Sequence, residues 1–256
     1  MRPLRALAGV ASELRVPLSM VLKSELGRAV LRSTSGVAGL VLQGGGAVHH
    51  VFGSPRFSAD LDFAQQPDLD EVRLSAGLAD AATLAQAAWG ACSVEAVTTK
   101  GRLHRQKLRV SLDGGISHVL AIERYEIRVH EPQTRPVLGG VAVRVESPAE
   151  IIADKVAAAV DRLSSRGMTK LRDVFDIRFL LDFGRPRREL VLAKLADYGY
   201  PQDLAPLRSL AAVLDEVAAE RLRGELRDVL PRPDVERFDP VAAVAMVSAF
   251  YLELSA

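Results

Sequence analysis

Two aspartates separated by a single residue, Asp60 and Asp62, are the residues of this 256-residue chain best suited to chemistry. The surrounding segment DLDFA alternates polar and apolar residues, which is typical of a half-buried strand. Because residues i and i+2 of a strand share a face, the two carboxylates are predicted to project side by side. Mg²⁺ prefers carboxylate oxygens and substrate phosphates as ligands, so the pair indicates a metal site. The alternative is a polar strand edge or an Asp-rich turn.

A glycine triplet, Gly44, Gly45 and Gly46, ends an apolar run upstream of this pair and precedes a short predicted helix. Glycine allows the backbone to approach a phosphate closely, and a helix N-terminus presents free N–H groups. The alternative is a tight turn that binds nothing. A glycine turn at a helix start, followed by a carboxylate pair on a strand, is the layout of a nucleotide-plus-metal site. His49 and His50 have no further Cys or His at ligand spacing, so we predict packing or surface residues rather than zinc ligands.

The elements that position these residues can be predicted from periodicity and turn residues. Two strands joined by Asp113-Gly114-Gly115 form a predicted hairpin, because Asp-Gly between alternating runs is a hairpin signal. The other segments of the first half are predicted helices at 1–34 and 69–90, and at 37–45 either a short buried strand or the end of a helix.

The second half of the chain is predicted to be helical. Ser147 as N-cap, Pro148 and Glu150 form a capping box that starts a helix. Further helical patterns follow at 170–183, 187–198, 203–227 and 240–254. The predicted class is therefore α+β, with a mixed α and β domain at 1–140 and a helical domain at 141–256.

Composition is that of an ordinary globular chain. The 33 Lys and Arg residues nearly balance 32 Asp and Glu residues, so a net charge of +1 predicts no strong overall attraction to nucleic acid. The single cysteine, Cys92, excludes an internal disulfide and fits a reducing cytosol. No segment has the length and apolarity of a membrane span, and we expect a cytoplasmic protein with no membrane partner.

The stretch GGGAVHHVFGSPRFSADLDF resembles the signature of AbiEii/AbiGii-type nucleotidyltransferases, including the MenT toxins of mycobacterial toxin–antitoxin systems. These proteins belong to the DNA polymerase β-like nucleotidyltransferase superfamily. The family pattern is a G-G-[ST] turn followed by R-x-S-x-D-[LI]-D-[FL], and the second part is matched by Arg56, Ser58, Asp60, Leu61, Asp62 and Phe63. A second block resembles the family's lysine-bearing helix and its R-D-x-x-D helix through Lys155, Arg172, Asp173 and Asp176. The chain departs from the pattern at Gly46, which lacks a hydroxyl that could contact the triphosphate.

The resemblance implies a mixed-sheet nucleotidyltransferase core followed by a helical bundle that completes the active site. It implies that Asp60 and Asp62 hold Mg²⁺ or Mn²⁺, and that Lys155 contacts the triphosphate of an NTP. Asp173 would position Lys155, the base or the nucleotide. The implied nucleotide-binding residues are Gly44, Gly45, Gly46, Arg56 and Ser58. Many superfamily members carry a third metal carboxylate on a later strand, for which Glu123 is the nearest candidate and Asp113 the next.

The function implied is that of a magnesium-dependent nucleotidyltransferase, the toxin of a type IV-like toxin–antitoxin system with a cognate antitoxin. It would transfer NMP from NTP to an acceptor, most naturally the tRNA 3′ end. Arg105, Lys107 and Arg109 would share one strand face suited to an RNA backbone, although the same face could simply be solvated. Two alternatives stay open: transfer of NMP to a protein, and a catalytically weak nucleotide-binding partner or regulator.

Overall fold

Two units make up the fold: Met1–Glu146 with Asp228–Arg232, and Ser147–Arg227 with Pro233–Ala256. The computed structural model describes residues 1–112, 116–137, 140–166, 170–216 and 219–256. The predicted boundary after residue 140 falls before the last strand of the first unit. No helix in these described ranges is long and apolar enough to cross a bilayer.

The first unit contains helices and strands in alternation. Its helices are α1 (Leu4–Leu14), α2 (Leu18–Ser33), α3 (Gly44–His50) and α4 (Glu71–Trp89). Its strands are β1 (Leu40–Gln43), β2 (Asp60–Gln65), β3 (Cys92–Val94), β4 (Thr98–Lys100), β5 (Leu103–Ser111), β6 (Ser117–Glu126), β7 (Pro132–Pro136) and β8 (Ala142–Glu146). The predicted helices at 1–34 and 69–90 are present, and the run after Val37 contains the short buried strand β1.

One mixed sheet joins the strands of the first unit. Over the described residues its order is β3-β5-β6-β2-β1-β8-β7, with β4 paired to β5. β2 pairs antiparallel with β1 and parallel with β6, and β5 and β6 form the predicted antiparallel hairpin. The turn predicted at residues 113–115 lies outside the described residues. The mixed sheet followed by a helical part confirms the predicted α+β class.

The alternation along β2 separates an apolar face from a polar face. Leu61 and Phe63 are buried, whereas Asp60 and Asp62 are only half-buried. Helix α2 packs on the apolar face, where Gly27 brings its backbone close to the end of the Leu61 side chain. A residue on that face is removed from water by the helices, so the polar residues of β2 belong to the opposite face.

The second unit is helical as predicted. Its helices are α5 (Pro148–Arg166), α6 (Leu171–Leu180), α7 (Arg188–Asp197), α8 (Pro206–Asp215), α9 (Ala219–Leu226) and α11 (Pro240–Ser255), while α10 (Arg232–Arg237) begins at the edge of the first unit. The predicted N-cap is confirmed, because the Glu150 amide donates to Ser147 Oγ at 3.0 Å.

The single helical pattern predicted over residues 203–227 is wrong. The structure has two helices there, α8 and α9. Buried leucines recur at helical spacing in both, at Leu207, Leu210 and Leu214 and again at Leu222 and Leu226. Because the apolar stripe continues across the break, periodicity does not reveal it.

A fully buried lysine ties α7 to α5 within the second unit. The Lys194 side chain has no exposed surface, and its Nζ lies 2.8 Å from Glu150 Oε1 and 3.1 Å from Asp154 Oδ1. Both carboxylates are one helical turn apart on α5 and therefore face the same neighbour. Burying charges costs free energy that such pairing must offset, so the cluster is sensitive to loss of one partner.

We expect Lys194→Met to destabilise the protein by about 3–5 kcal/mol, because two buried carboxylates would lose their cation. Urea denaturation of the purified variant measures this change in the free energy of unfolding. Arg185→Gln is the matched control, since it breaks an exposed pair with Glu253 at 2.8 Å that contributes up to about 1 kcal/mol. Equal losses in the two variants would contradict a dominant role for the buried lysine.

Candidate functional site

The two predicted metal ligands lie on the polar face of β2. Asp62 is in register with Gln43 on β1 and with Glu123 on β6. Cross-strand partners place their side chains on the same face of a sheet. The register therefore brings Asp60, Asp62 and Glu123 onto one face, with Asp62 and Glu123 as direct neighbours.

The glycine turn between β1 and α3 lies against the Asp62 carboxylate. Gly44 has φ +63°, and a Cβ at this position would lie 2.6 Å from Asp62 Oδ2. A Cβ on Gly45 would lie 2.7 Å from Arg56 Nη2 and 2.9 Å from Ser58 Oγ. At Gly44 the positive φ and the lack of space together require glycine, whereas at Gly45 an added Cβ would force the ends of the Arg56 and Ser58 side chains to shift.

Gly46, where the chain departs from the family pattern, has a different environment. Its φ is not in the left-handed region, and an added Cβ would meet the end of the Leu61 side chain at 3.0 Å. A flexible side chain can move by a few tenths of an ångström, so the backbone does not demand glycine here. The missing hydroxyl is thus a feature of this sequence and not a requirement of its fold.

The loop before β2 is held by its own buried polar groups. Arg56 is buried, and its Nη1 donates to the Phe57 carbonyl at 3.0 Å. Ser58 Oγ donates to the Asp60 carbonyl at 3.0 Å. The Phe57 amide donates to the carbonyl of Val229, in the segment that returns to this unit, at 2.7 Å. These contacts hold Arg56 and Ser58 within the loop, and phosphate binding by Arg56 and Ser58 stays a prediction.

Glu123 is paired with a cation. Arg105 Nε donates to Glu123 Oε1 at 2.8 Å, across the antiparallel pair β5–β6. Over the described residues, no group of three His, Cys, Asp or Glu side chains is gathered closely enough to hold a metal ion. The oxygen donors nevertheless suit a hard divalent cation: two carboxylates alternate on β2, and a third lies in register with Asp62.

The predicted basic strand β5 shares the face of the carboxylates. Arg105, Lys107 and Arg109 are in register with Glu123, Ala121 and Val119 of β6, and Ala121 is in turn in register with Asp60. Arg109 forms a second ion pair, with its Nε 2.8 Å from Glu95 Oε1. The basic side chains therefore lie on the same face as Asp60 and Asp62, with the single strand β6 between the two strands. RNA binding by these side chains stays a prediction.

The second predicted block forms a charge cluster within the helical unit. Lys155 Nζ lies 2.9 Å from Asp173 Oδ1 and 2.7 Å from Asp176 Oδ2, and Arg162 Nη1 lies 2.9 Å from Asp173 Oδ2. Lys155 is thus buried between two carboxylates and is not a solvated surface lysine. Burial alone would raise the pKa of Asp173, but Lys155 and Arg162 outweigh it and hold that pKa well below its usual range.

The two histidines of α3 are buried packing residues, in line with one of the two predicted roles. Ser24 Oγ lies 2.8 Å from His49 Nε2, and His49 Nδ1 lies 3.0 Å from the Ser54 carbonyl oxygen. Burial lowers the pKa of His49 to about 4, against the hydrogen bond to Ser54, which raises it. The pKa of His50 is also held well below its usual value, by burial and by the neighbouring His49.

Sequence reasoning missed Gln43, the β1 residue in register with Asp62. Its side chain is 8% exposed, and its Oε1 has no hydrogen-bond partner among the described residues. An orphan buried acceptor beside a carboxylate pair is unusual. The sequence signal that could have found Gln43 is its place directly before the glycine triplet. The residue that ends a strand at such a turn lies beside the turn and therefore beside the candidate site.

We expect Gly44→Ala to destabilise the protein by about 1–3 kcal/mol more than Gly53→Ala. Both glycines have positive φ, +63° and +77°, so both alanines carry the backbone strain. Only the Gly44 variant also drives a methyl group into Asp62, because nothing lies within 4 Å of a Cβ on Gly53. Thermal unfolding of the two variants measures the difference, and equal melting temperatures would show that the turn does not contact the carboxylate.

The buried histidines predict a loss of stability in acid. A His with a depressed folded pKa stays neutral in the native state while the unfolded chain takes up a proton below about pH 6.5. The free energy of unfolding is therefore highest above pH 6.5 and falls as the pH is lowered toward 4. The contribution of His49 to this fall is about 3 kcal/mol. In urea unfolding across this range, His49→Gln should reduce the dependence on pH, and an unchanged dependence would contradict the assignment.

Comparisons with known proteins gave a family match and several solved structures of similar fold. Residues 33–244 match the family described as "Nucleotidyl transferase AbiEii toxin, Type IV TA system". The fold is similar to JHP933 from Helicobacter pylori, with a TM-score of 0.57, 17% identity and coverage of 94% of this chain and 93% of that one. It is also similar to a nucleotidyltransferase from H. pylori that is described as putative. The TM-score is 0.55 and the identity 19%, with 91% of this chain and 93% of that one covered.

A third solved structure is MenT4, a nucleotidyltransferase toxin from Mycobacterium tuberculosis H37Rv, at a TM-score of 0.53 and 17% identity, with 98% of this chain and 88% of that one covered. Comparison with curated proteins found no similar sequence. Identities this low show a shared fold, whereas the family match spans most of the chain. The chain therefore belongs to the AbiEii nucleotidyltransferase toxin family of type IV toxin–antitoxin systems.

Proposed function

We propose that this nucleotidyltransferase transfers NMP from an NTP to the 3′ end of tRNA, with a divalent cation held by Asp60 and Asp62. One observation carries the proposal. The register of β2 places both carboxylates on the polar face, and the Gly44 backbone lies against one of them. Carboxylates beside a close-approaching glycine turn are suited to a cation that bridges to a triphosphate.

The residues of the chain divide the work of binding. The backbone at Gly44–Gly46 forms the start of α3, whose first N–H groups have no partner within the helix and suit phosphate oxygens. When bound, Mg²⁺ or Mn²⁺ would neutralise charge on the triphosphate and on the departing pyrophosphate. The acceptor's 3′ oxygen bonds to the α-phosphorus, the bond from that phosphorus to the α,β-bridging oxygen breaks, and the hydroxyl proton leaves to solvent.

A tRNA acceptor is favoured by the position of the basic strand. The chain has a net charge of only +1, so attraction to a polyanion must be local. Arg105 and Lys107 lie on the carboxylate face, in register with Glu123 and with Ala121 beside Asp60. Contacts to successive phosphates there would release counterions and give salt-dependent binding.

Lys155 and Asp173 are proposed to contribute to catalysis as an oriented cation and its positioning carboxylate. Asp173 and Asp176 hold the Lys155 ammonium from two sides and so fix its direction. A fixed ammonium suits a triphosphate as a point charge. As a member of a toxin family, the protein is also proposed to bind a cognate antitoxin.

A second candidate function is nucleotide binding with little turnover, as a regulator or partner subunit. It is favoured by Gly46, which lacks the family hydroxyl, and by Glu123, which pairs with Arg105. Transfer of NMP to a protein is a variant of the first candidate. An assay with labelled NTP separates the three possibilities, because label appears on RNA, on protein or on neither.

We expect α-labelled NTP to label tRNA in the presence of wild-type protein and Mg²⁺. Asp60→Asn and Asp62→Asn should each reduce transfer by about 100-fold or more, because an electrostatic partner of the reacting phosphates is lost. Asp80→Asn, an exposed aspartate on α4, is the control and should transfer as well as wild type. Each of the four NTPs is tested with total RNA and with total protein, and the products are separated by gel electrophoresis.

Label on protein alone would replace tRNA by a protein acceptor. Nucleotide binding without label on any polymer would favour the regulator. Equal transfer by wild type and both aspartate variants would contradict the proposed site. Growth arrest on expression gives a second readout: the wild type should arrest growth, and Asp60→Asn should not.

A further inference from the structure

The Glu123 carboxylate, which is in register with Asp62, forms an ion pair with Arg105. Glu123 is the direct neighbour of Asp62 on the parallel strand β6, and Arg105 is its direct neighbour on the antiparallel strand β5. A single carboxylate thus lies between a carboxylate on one side and a guanidinium on the other. The described structure shows the contact to the guanidinium, at 2.8 Å from Arg105 Nε to Glu123 Oε1.

This ion pair is open to competition. The Arg105 side chain is 46% exposed and the Glu123 side chain 26% exposed. Exposed pairs of this kind contribute little to stability, since water screens the attraction. A phosphate group binds a guanidinium with the same bidentate geometry as a carboxylate and can therefore compete with Glu123 for Arg105.

Glu123 is also close enough to serve the carboxylate pair once released. Neighbouring strands lie about 4.8 Å apart, so a change of rotamer can turn the Glu123 side chain toward Asp62. Three carboxylates would then face one point, and they would repel one another unless a divalent cation is present. Binding of the cation and release of Arg105 therefore favour each other.

We propose that Glu123 exchanges between Arg105 and the divalent-cation site, and that a phosphate of the acceptor RNA drives this exchange by binding Arg105. The inference rests on the proposed function and adds coupling between acceptor and metal. Acceptor bound at Arg105 strengthens cation binding, and by linkage the cation strengthens acceptor binding. Without acceptor, the ion pair keeps the third ligand engaged and the site weak.

Metal binding by the free protein tests the exchange without NTP or RNA. Free Mn²⁺ is measured by electron paramagnetic resonance during titration of the wild type and of Arg105→Gln. Arg105→Gln should bind Mn²⁺ about fivefold more tightly, equivalent to about 1 kcal/mol, because Glu123 is no longer held. Arg105→Lys, which keeps a cation beside Glu123, should remain near wild type.

Arg109→Gln is the matched control for loss of one positive charge. Arg109 lies on the same strand and face and has a similar pair with Glu95, at 2.8 Å and 42% and 34% exposure. Its partner is not in register with the aspartates, so its Mn²⁺ affinity should be unchanged. The double variant Arg105→Gln with Glu123→Gln should lose the gain.

Unchanged Mn²⁺ affinity in Arg105→Gln would overturn the proposal, as would an equal gain in Arg109→Gln or in the double variant. A second titration follows a fluorescent single-stranded RNA by anisotropy at constant ionic strength, with and without Mn²⁺. Mn²⁺ should tighten RNA binding more in wild type than in Glu123→Gln, and equal effects would overturn the coupling. Because Mn²⁺ binding needs no turnover, a gain without NMP transfer would contradict only the proposed function.

Discussion

Strand β2 lies between an antiparallel neighbour and a parallel neighbour, and its register decides which of its residues meet water. Leu61 and Phe63 point to the helices, while Asp60 and Asp62 point to the opposite face. A shift by one residue would bury two carboxylates and expose two apolar side chains, which costs several kcal/mol. The hydrophobic core therefore fixes the positions of the carboxylates.

The glycine turn brings backbone N–H groups next to the carboxylates that this register positions. β1 ends at Gln43, and the next residue must pass the Asp62 side chain before α3 can begin. Only glycine has both the positive φ and the room for that passage. The loop that follows is held by buried Arg56 and Ser58, so the turn and the carboxylates keep their relative positions.

Buried charged side chains recur in both units, and several of them have an opposite charge or a carbonyl as partner. Lys155 lies between two aspartates, and Lys194 contacts Glu150. Such clusters cost desolvation energy that their attraction only partly offsets, so they specify geometry more than they add stability. The exposed pair of Arg105 with Glu123 is the opposite case, since weak pairing leaves both groups available for ligands.

Local patterns by themselves determined the main helices, the β5–β6 hairpin, the alternation along β2 and the two motif blocks that identify the family. Each depends on neighbours in the chain, through periodicity, caps and turn residues. The sequence did not predict the short edge strands, the break between α8 and α9, or the contacts of Gln43 and Glu123. Only the tertiary structure decided these, because cross-strand neighbours depend on register between distant segments, and residues 62, 105 and 123 have no local signal that joins them.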